Sequence, residues 1–367
     1  MPTIFHIADL HIGASFDSLP PEKASAAISM QFSALDKLIQ RANDCDADAI
    51  LIAGDLFDSP TPRADIASAV FTTLGKSRCP IFLSPGNHDY YFSQSPYATL
   101  PLPSCLTVFD DRILTPVELD DGRTVIWGAA FQAAKANIRL NAEVDPEKIN
   151  ICVLHGELGG DNGYNPISER AAMISGFAYI ALGHNHTYSG MFRAGDTVLS
   201  CPGCFSPTSV NETGEKIYLT GTVEKGAVDL HPVRTDALCF QRCSIRMDGI
   251  ESDKALAEAL KPLLPQHPES TCCALTLTGT RSFEPSADLL LNALQNIFFY
   301  ATLRDESTVP ENLLRYLDDE GLRGEVTRDL KARIDASDEV DADNLTLALE
   351  YVLAALDGRP MTRESKL

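Results

Sequence analysis

Short apolar runs broken by turn residues recur through the first 235 positions. Thr3–Ile7, Ala49–Ile52, Ile81–Leu83, Thr124–Trp127, Asn150–Leu154 and Ala178–Leu182 each read as a buried strand. Each is too short for a helix and is bounded by Gly, Pro, Asn or Asp. Stretches of helical period lie between them, clearest at 22–43 and 62–76. In the first, Ala27, Ile28, Phe32, Leu35, Leu38 and Ile39 fall on one face, and Pro62 suits the first turn of the second. Alternation of this kind predicts the α/β class. From 196 to 233 the pattern turns to short strands with Gly turns. Glu215–Thr220 and Ala227–His231 predict antiparallel hairpins instead of further βαβ units.

A second module starts near Cys239. CFQRCSIRM reads as a strand, 251–263 as a helix, CCALTLTGT as a strand and 285–300 as a helix, a small α+β unit. The remainder, from about 310, reads as helical. Leu345, Leu349, Val352, Leu353 and Leu356 form one apolar stripe, with Asp341 and Asp343 as candidate caps. That stripe suits packing within its own domain or docking of a partner. The expected division is 1–235, 239–305 and 306–367.

Composition narrows the function. The chain has 367 residues, 44% of them hydrophobic and 22% charged, the profile of a soluble protein with a large core. No run of 18 apolar residues exists, and the opening MPTIFHIADLHIG has no basic leader, which predicts a cytoplasmic protein with no membrane span. The terminal Ser365-Lys366-Leu367 matches a peroxisomal address and is read as coincidence. The ten Cys are irregularly placed and read as reduced thiols, the Cys201–Cys204 CxxC pair as a plain loop. The net charge of −21 excludes a general electrostatic attraction for nucleic acid. Residues 305–367 alone hold 16 acidic and 8 basic groups, a net of −8.

The polar residues that end the strands carry the chemistry. The first strand leads into Asp9 and His11, the second into Asp55 and Asp58, and the third into Asn87, His88 and Asp89. The strand ending at Leu154 leads into His155, and the one ending at Leu182 into His184 and His186. Five of the eight His in the chain are in this set. An isolated His is more often a core residue than a ligand, but five strands delivering such groups to one sheet edge describe a site. Imidazole, carboxylate and amide oxygen without thiolate suit divalent metals such as Mn, Fe or Zn, and argue against a structural zinc site. Seven candidate ligands exceed one tetrahedral site and fit two metals about 3.5–4 Å apart, a clamp for in-line displacement at phosphorus.

The order DxH, GDxxD, GNHD, H, GHxH resembles the signature of the calcineurin-like metallophosphoesterases. The resemblance implies a four-layer αββα sandwich with a small α+β capping domain and C-terminal helices. It implies that Asp9, His11 and His186 bind one metal, that Asp55 bridges, and that Asn87, His155 and His184 bind the second. His88 would be the general acid and Asp89 would orient its ring. Asp58 reads as a structural acceptor in its loop.

IADLHIGASF, SPYATLPLPSCLTVF, VIWGAAF and GFAYIALGHNHTYSG followed by CPGC look like the SbcD and YhaO branch of that family. CPGC stands where relatives tend to carry a YPGS-like turn. This likeness implies a nuclease of DNA repair and recombination that uses two divalent ions, Mn first, with Fe, Zn or Mg as alternatives. It would act as an exonuclease, with endonuclease cleavage as a second mode. It also implies a homodimer and an SbcC-type coiled-coil ATPase partner. The alternatives are a small-molecule or cyclic-nucleotide phosphodiesterase of the same fold, and a non-catalytic ATPase-binding scaffold.

Overall fold

A computed structural model describes residues 1–159, 164–308, 316–337 and 339–356. In chain order it begins β1 (Thr3–Ile7), α1 (Pro21–Asp44), β2 (Ala49–Ile52), α2 (Ala64–Leu74), β3 (Ile81–Leu83), α3 (Pro96–Thr99), β4 (Leu106–Val108), β5 (Thr115–Glu118), β6 (Thr124–Gly128) and β7 (Ile149–Leu154). There follow β8 (Glu157–Leu158), β9 (Pro166–Ile167), α4 (Glu169–Met173), β10 (Tyr179–Leu182), β11 (Phe192–Ala194), β12 (Thr197–Ser200), β13 (Ile217–Glu224) and β14 (Ala227–Arg234). Two six-stranded sheets result, ordered β14-β13-β1-β2-β3-β4 and β11-β12-β10-β7-β6-β5. β1 to β4 run parallel, as do β6, β7, β10 and β12. The expected hairpin forms from β13 and β14, with Glu224 opposite Ala227, and β13 lies antiparallel to β1.

The strands are continuous apolar runs because both faces are covered. Along β1 and β2, Phe5, Ile7, Ile50 and Ile52 face a core closed by Leu35, Leu38 and Ile39 of α1 and by Val70, Phe71 and Leu74 of α2. Ile4, Ala49 and Leu51 point the other way, into a core shared with Ile126, Ile151, Val153, Tyr179 and Ala181 of the second sheet. The outer face of the second sheet is covered by a thin layer, α4 together with the segment bearing Phe131, Ala136 and Ile138. Helix, sheet, sheet and outer cover make the αββα order. Pro62 precedes α2 instead of opening it, since Arg63 takes the N-cap position.

Further along come β15 (Cys239–Arg246), α5 (Asp253–Leu260), β16 (Thr271–Thr278), α6 (Ala287–Ile297), β17 (Tyr300–Asp305), α7 (Leu322–Ile334) and α8 (Glu339–Leu356). The sheet order is β15-β16-β17. The strand β17 was not expected. The apolar run of α6 continues through Ile297-Phe298-Phe299 with no Gly or Pro to mark the change of period. The chain divides into two compact units. One comprises Met1–Cys243, Lys261–Thr276 and Ala287–Arg304, the other Ser244–Leu260, Leu277–Ser286 and Asp305–Leu367. In the second unit α7 packs on α8. Leu349 and Leu353 of the α8 stripe are buried, whereas Val352 and Leu356 remain largely exposed. Because α8 already begins at Glu339, Asp341 and Asp343 fall inside its first turns and are not caps. The side chain of Asp343 and the Ser365-Lys366-Leu367 tail lie outside the described residues. Among the described residues no helix is long and apolar enough to cross a membrane.

A polar link crosses the inter-sheet core. His6 of β1 donates from Nε2 to the Leu182 carbonyl oxygen (3.0 Å), and its Nδ1 accepts from the Tyr179 hydroxyl (2.8 Å). Burial drives this imidazole down to about 3, against the pull of the Leu182 carbonyl, so it is neutral. A group held below its ordinary value contributes stability above pH 6.5 and loses it as the pH falls toward 3. His6→Leu leaves the Tyr179 hydroxyl and the Leu182 carbonyl unpaired and is expected to cost about 1–3 kcal/mol at neutral pH. Urea unfolding checks this. The gap between wild type and variant narrows as the pH drops below 6.5, and an unchanged gap contradicts the account.

Candidate metal centre

The C-terminal ends of β1, β2 and β3 in one sheet and of β7 and β10 in the other meet at one edge, where parallel strands of α/β proteins place their chemistry. Asp9, His11 and His186 bring ligand atoms within 4.8 Å of one another, and so do Asp9, Asp55 and His155. Asn87 Oδ1 lies 2.7 Å from His155 Nε2 and 3.1 Å from His184 Nδ1. All seven residues expected as ligands are thus gathered in one place. Asp9, Asp55 and His155 are fully buried.

The backbone is bent to achieve this. Asp9 (φ 51°), His11 (φ 46°), Asp55 (φ 49°) and His184 (φ 79°) all occupy the left-handed region, which is costly for residues with a Cβ. Short bonds hold the turns: Asp9 N–H to Gly54 O (3.1 Å), His11 N–H to Asp55 O (3.0 Å) and His184 N–H to the Asp9 carboxylate (3.0 Å). Two glycines permit the close approach. A Cβ on Gly86 would lie 2.3 Å from Asp55 Oδ1, and one on Gly54, at φ +90°, would lie 2.3 Å from His155 Nδ1.

Hydrogen bonds at the outer ring nitrogens set the tautomers. His11 Nδ1 donates to Asp58 Oδ1 (3.0 Å), His186 Nδ1 to Glu212 Oε1, and His155 Nδ1 to the Ala53 carbonyl (3.0 Å). Each ring therefore turns its Nε2 inward, and that atom offers a lone pair once the ring is neutral. His11 Nε2 and His186 Nε2 face each other at 3.1 Å, and the proton that His11 carries below about pH 9 lies between these two atoms until a cation displaces it. His155 Nε2 likewise faces an acceptor, the Asn87 amide oxygen. Ring nitrogens, carboxylates and an amide oxygen converging in this way form a place for cations, for which protons compete. The donor set of imidazole, carboxylate and amide oxygen fits borderline divalent ions. Asp55 Oδ2 approaches both sets, 3.8 Å from His11 Nε2 and 3.4 Å from His155 Nε2.

Two roles differ from expectation. Asp89 does not hold the His88 ring. Its Oδ1 accepts from Gly86 N–H (2.7 Å), and its Oδ2 accepts from Leu56 N–H (2.8 Å), Phe57 N–H (3.3 Å) and the Tyr97 hydroxyl (2.5 Å). It ties the turn after β3 to the loop after β2. The ring of His88 is held instead by Asp58, whose carbonyl oxygen accepts from Nδ1 at 3.2 Å. Asp58 thus serves His11 and His88 together. His88 is among the more open groups of the site, its side chain 45% exposed, with its ring edge-on to His11 at 4.7 Å.

The motifs gave no sign of Glu212 or of Asn165. Buried Asn165 donates to the His155 carbonyl (2.8 Å) and accepts from Ile138 N–H (2.7 Å). Both lie in loops far from the motif residues they support, so only the folded chain reveals them.

Comparison with known proteins agrees with this geometry. The family model described as calcineurin-like phosphoesterase matches residues 2–188. The metallophosphoesterase YhaO of Bacillus subtilis, itself described as uncharacterized, is 26% identical over 299 residues, covering 76% of this chain and 72% of that one. The DNA double-strand break repair protein Mre11 of Aeropyrum pernix is 25% identical over 242 residues, 60% of this chain and 58% of its own length. The protein of the same name from Methanopyrus kandleri is 23% identical over 232 residues, 58% of this chain and 50% of its own. The chain therefore spans only about half the length of these last two relatives.

Protons compete for the same atoms. Burial works against the charge of His11, but Asp58, Asp55 and Asp9 outweigh it and raise its ring to about 9. Burial, reinforced by Asp55, pushes the Asp9 carboxyl well above its ordinary range. Both shifts are upward, so both contribute stability at low pH that is lost as the pH rises; for His11 the window runs from about 6.5 to about 9. The metal-free protein is expected to melt at lower temperature near pH 9 than near pH 6.5. Added Mn²⁺ should raise the melting temperature more at the higher pH, because fewer protons must be displaced. A calorimetric scan at both values checks this, and an equal gain at both contradicts it.

Proposed function

The chain belongs to the calcineurin-like phosphoesterase family, and from that premise we propose that it is a two-metal DNA nuclease. It cleaves phosphodiester bonds as an exonuclease, with endonuclease cleavage as a second mode. The observation that carries the reading is the convergence of two acceptor sets, His11 with His186 and Asn87 with His155, on either side of Asp55. Asp9, His11, Asp55 and His186 would hold one divalent ion, and Asp55, Asn87, His155 and His184 the other. Mn²⁺ is the first choice, with Fe, Zn or Mg as alternatives. Such ions supply Lewis acidity at phosphorus and lower the pKa of water.

The rest falls to the side chains. His88 is tethered through Nδ1–H to the Asp58 carbonyl, so that the imidazolium form can give its Nε2 proton to the departing oxygen and keep the tether. Asp89 keeps the turn rigid and acts on His88 only through the backbone. Lys135 lies 5.6 Å from the ring centroid of Tyr164, and Tyr164 stacks on His184 at 4.8 Å. That cation, close to the ligands, favours a phosphate backbone in a chain whose net charge of −21 offers no long-range attraction.

DNA as substrate is supported by the names of the two relatives concerned with double-strand break repair. A homodimer, an SbcC-type coiled-coil ATPase partner and a cytoplasmic setting complete the proposal. Catalysis is assigned to 1–235, capping to 239–305 and protein docking to the acidic 306–367.

The test compares wild type, His88→Ala and Asp55→Asn on linear duplex and single-stranded DNA and on bis(p-nitrophenyl) phosphate, with Mn²⁺ or EDTA. His88→Ala is expected to lose about 10²–10⁴ in rate on DNA and far less on the activated ester, whose leaving group needs no acid, while its metal content stays intact. Asp55→Asn loses metal and both activities. Equal loss by His88→Ala on both substrates contradicts its role as acid. Hydrolysis of the ester with no cleavage of either DNA moves the assignment to a small phosphodiester.

A further inference from the structure

We propose that Glu212 is the positioning residue of His186, and that through this ring it sets the affinity of the Asp9–His11–His186 ion site while leaving the Asn87–His155–His184 site untouched. The inference rests on the two-metal reading above.

His186 is less enclosed than His11 or His155 and depends more on a brace. Its side chain is 33% exposed, against 2% for His11 and 0% for His155. His155 is braced by a backbone carbonyl at the end of β2, whereas the Nδ1 of His186 is braced by the Glu212 carboxylate. The carboxylate is itself fixed at its other end. Glu212 Oε2 accepts from Thr208 N–H (2.6 Å), Ser209 N–H (3.1 Å) and the Thr208 hydroxyl (3.3 Å). A carboxylate gripped by three donors on one oxygen cannot swing, so neither can the imidazole that donates to the other.

The loop that carries these groups is anchored at both ligands. Cys204 N–H donates to the His186 carbonyl (3.2 Å), and Phe205 N–H donates to the Ala8 and Asp9 carbonyls (3.0 and 3.2 Å). Past Glu212, Gly214 N–H reaches the Phe240 carbonyl (3.0 Å). The segment 204–214 therefore straps His186 to Asp9 and fixes where the ring stands. Without Glu212, Nδ1 loses its acceptor, the ring is free to take the other tautomer, and an Nε2–H would then point at His11 in place of a lone pair. The second acceptor set has no such dependence, since Asn87, His155 and His184 share no hydrogen bond with Glu212.

Glu212→Gln separates charge from shape. The amide keeps one acceptor for His186 but turns an NH₂ toward the Thr208 and Ser209 N–H groups, donor against donor. Glu212→Ala removes both functions. Mn²⁺ titration calorimetry on the metal-stripped full chain reads the result, with thermal melts of the metal-free proteins alongside. Two classes of site are expected in wild type. In both variants one class weakens about 10–100-fold, the other is unchanged, and the metal-free melting temperature stays close to wild type. Unchanged affinities at both sites overturn the role of Glu212 and leave the two-metal reading standing. A wild type that takes up no Mn²⁺ overturns both. Should neither variant fold, ¹⁵N-histidine NMR of Zn²⁺-loaded wild type decides. A low-field Nδ1 proton that disappears in His186→Gln supports the clamp, and its absence from the wild-type spectrum overturns it.

Discussion

Two pairs of atoms able to bind a cation face each other at one sheet edge. His11 Nε2 meets His186 Nε2 at 3.1 Å, and Asn87 Oδ1 meets His155 Nε2 at 2.7 Å, around the buried carboxylates of Asp9 and Asp55. Without cations, burial and the closeness of the two carboxylates oppose their charge, and the site holds protons in the cations' place. The surrounding structure is best understood as what keeps those atoms in place until cations resolve the conflict. Four left-handed residues, two glycines without room for a Cβ and a ring of outer hydrogen bonds all serve that end.

The rigidity comes from the two sheets. Their parallel strands are buried on both faces, so a one-residue shift of register would send every side chain into the opposite core, against the wrong neighbours. His6 adds a directional link between β1 and β10, the strands that carry Asp9 and His184 to the site. Outside the sheets each ligand has its own brace: Asp58 for His11, Ala53 for His155, Glu212 for His186 and the Asp9 carboxylate for the backbone of His184. Asp89 and Tyr97 lock the turn that bears Asn87 and His88 to the loop that bears Asp55. The division is physical. The groups that face inward can bind a cation, and the groups that face outward fix how each ring is turned.

Much of this was legible in the sequence because the ligands follow strands directly, and strand ends in α/β folds have a fixed address. The seven ligand candidates needed only their order. What could not be read was the direction of side chains inside tight turns. Adjacency suggested that Asp89 orients His88, yet Asp89 turns inward to collect three backbone N–H groups while Asp58, thirty residues earlier, takes the ring. Glu212 and Asn165 lie in loops without a motif, 26 residues from His186 and 10 from His155, and only the folded chain brings them to their partners. The strand β17 was missed for a different reason: its apolar residues continue those of α6 without punctuation, and pairing with β16 decides the outcome.

The most direct test of the account is anomalous diffraction from crystals of the full chain grown with Mn²⁺. Two peaks are expected at the sheet edge, one bounded by Asp9, His11, Asp55 and His186 and the other by Asp55, Asn87, His155 and His184. A single peak, or manganese bound elsewhere with both acceptor sets empty, would contradict it.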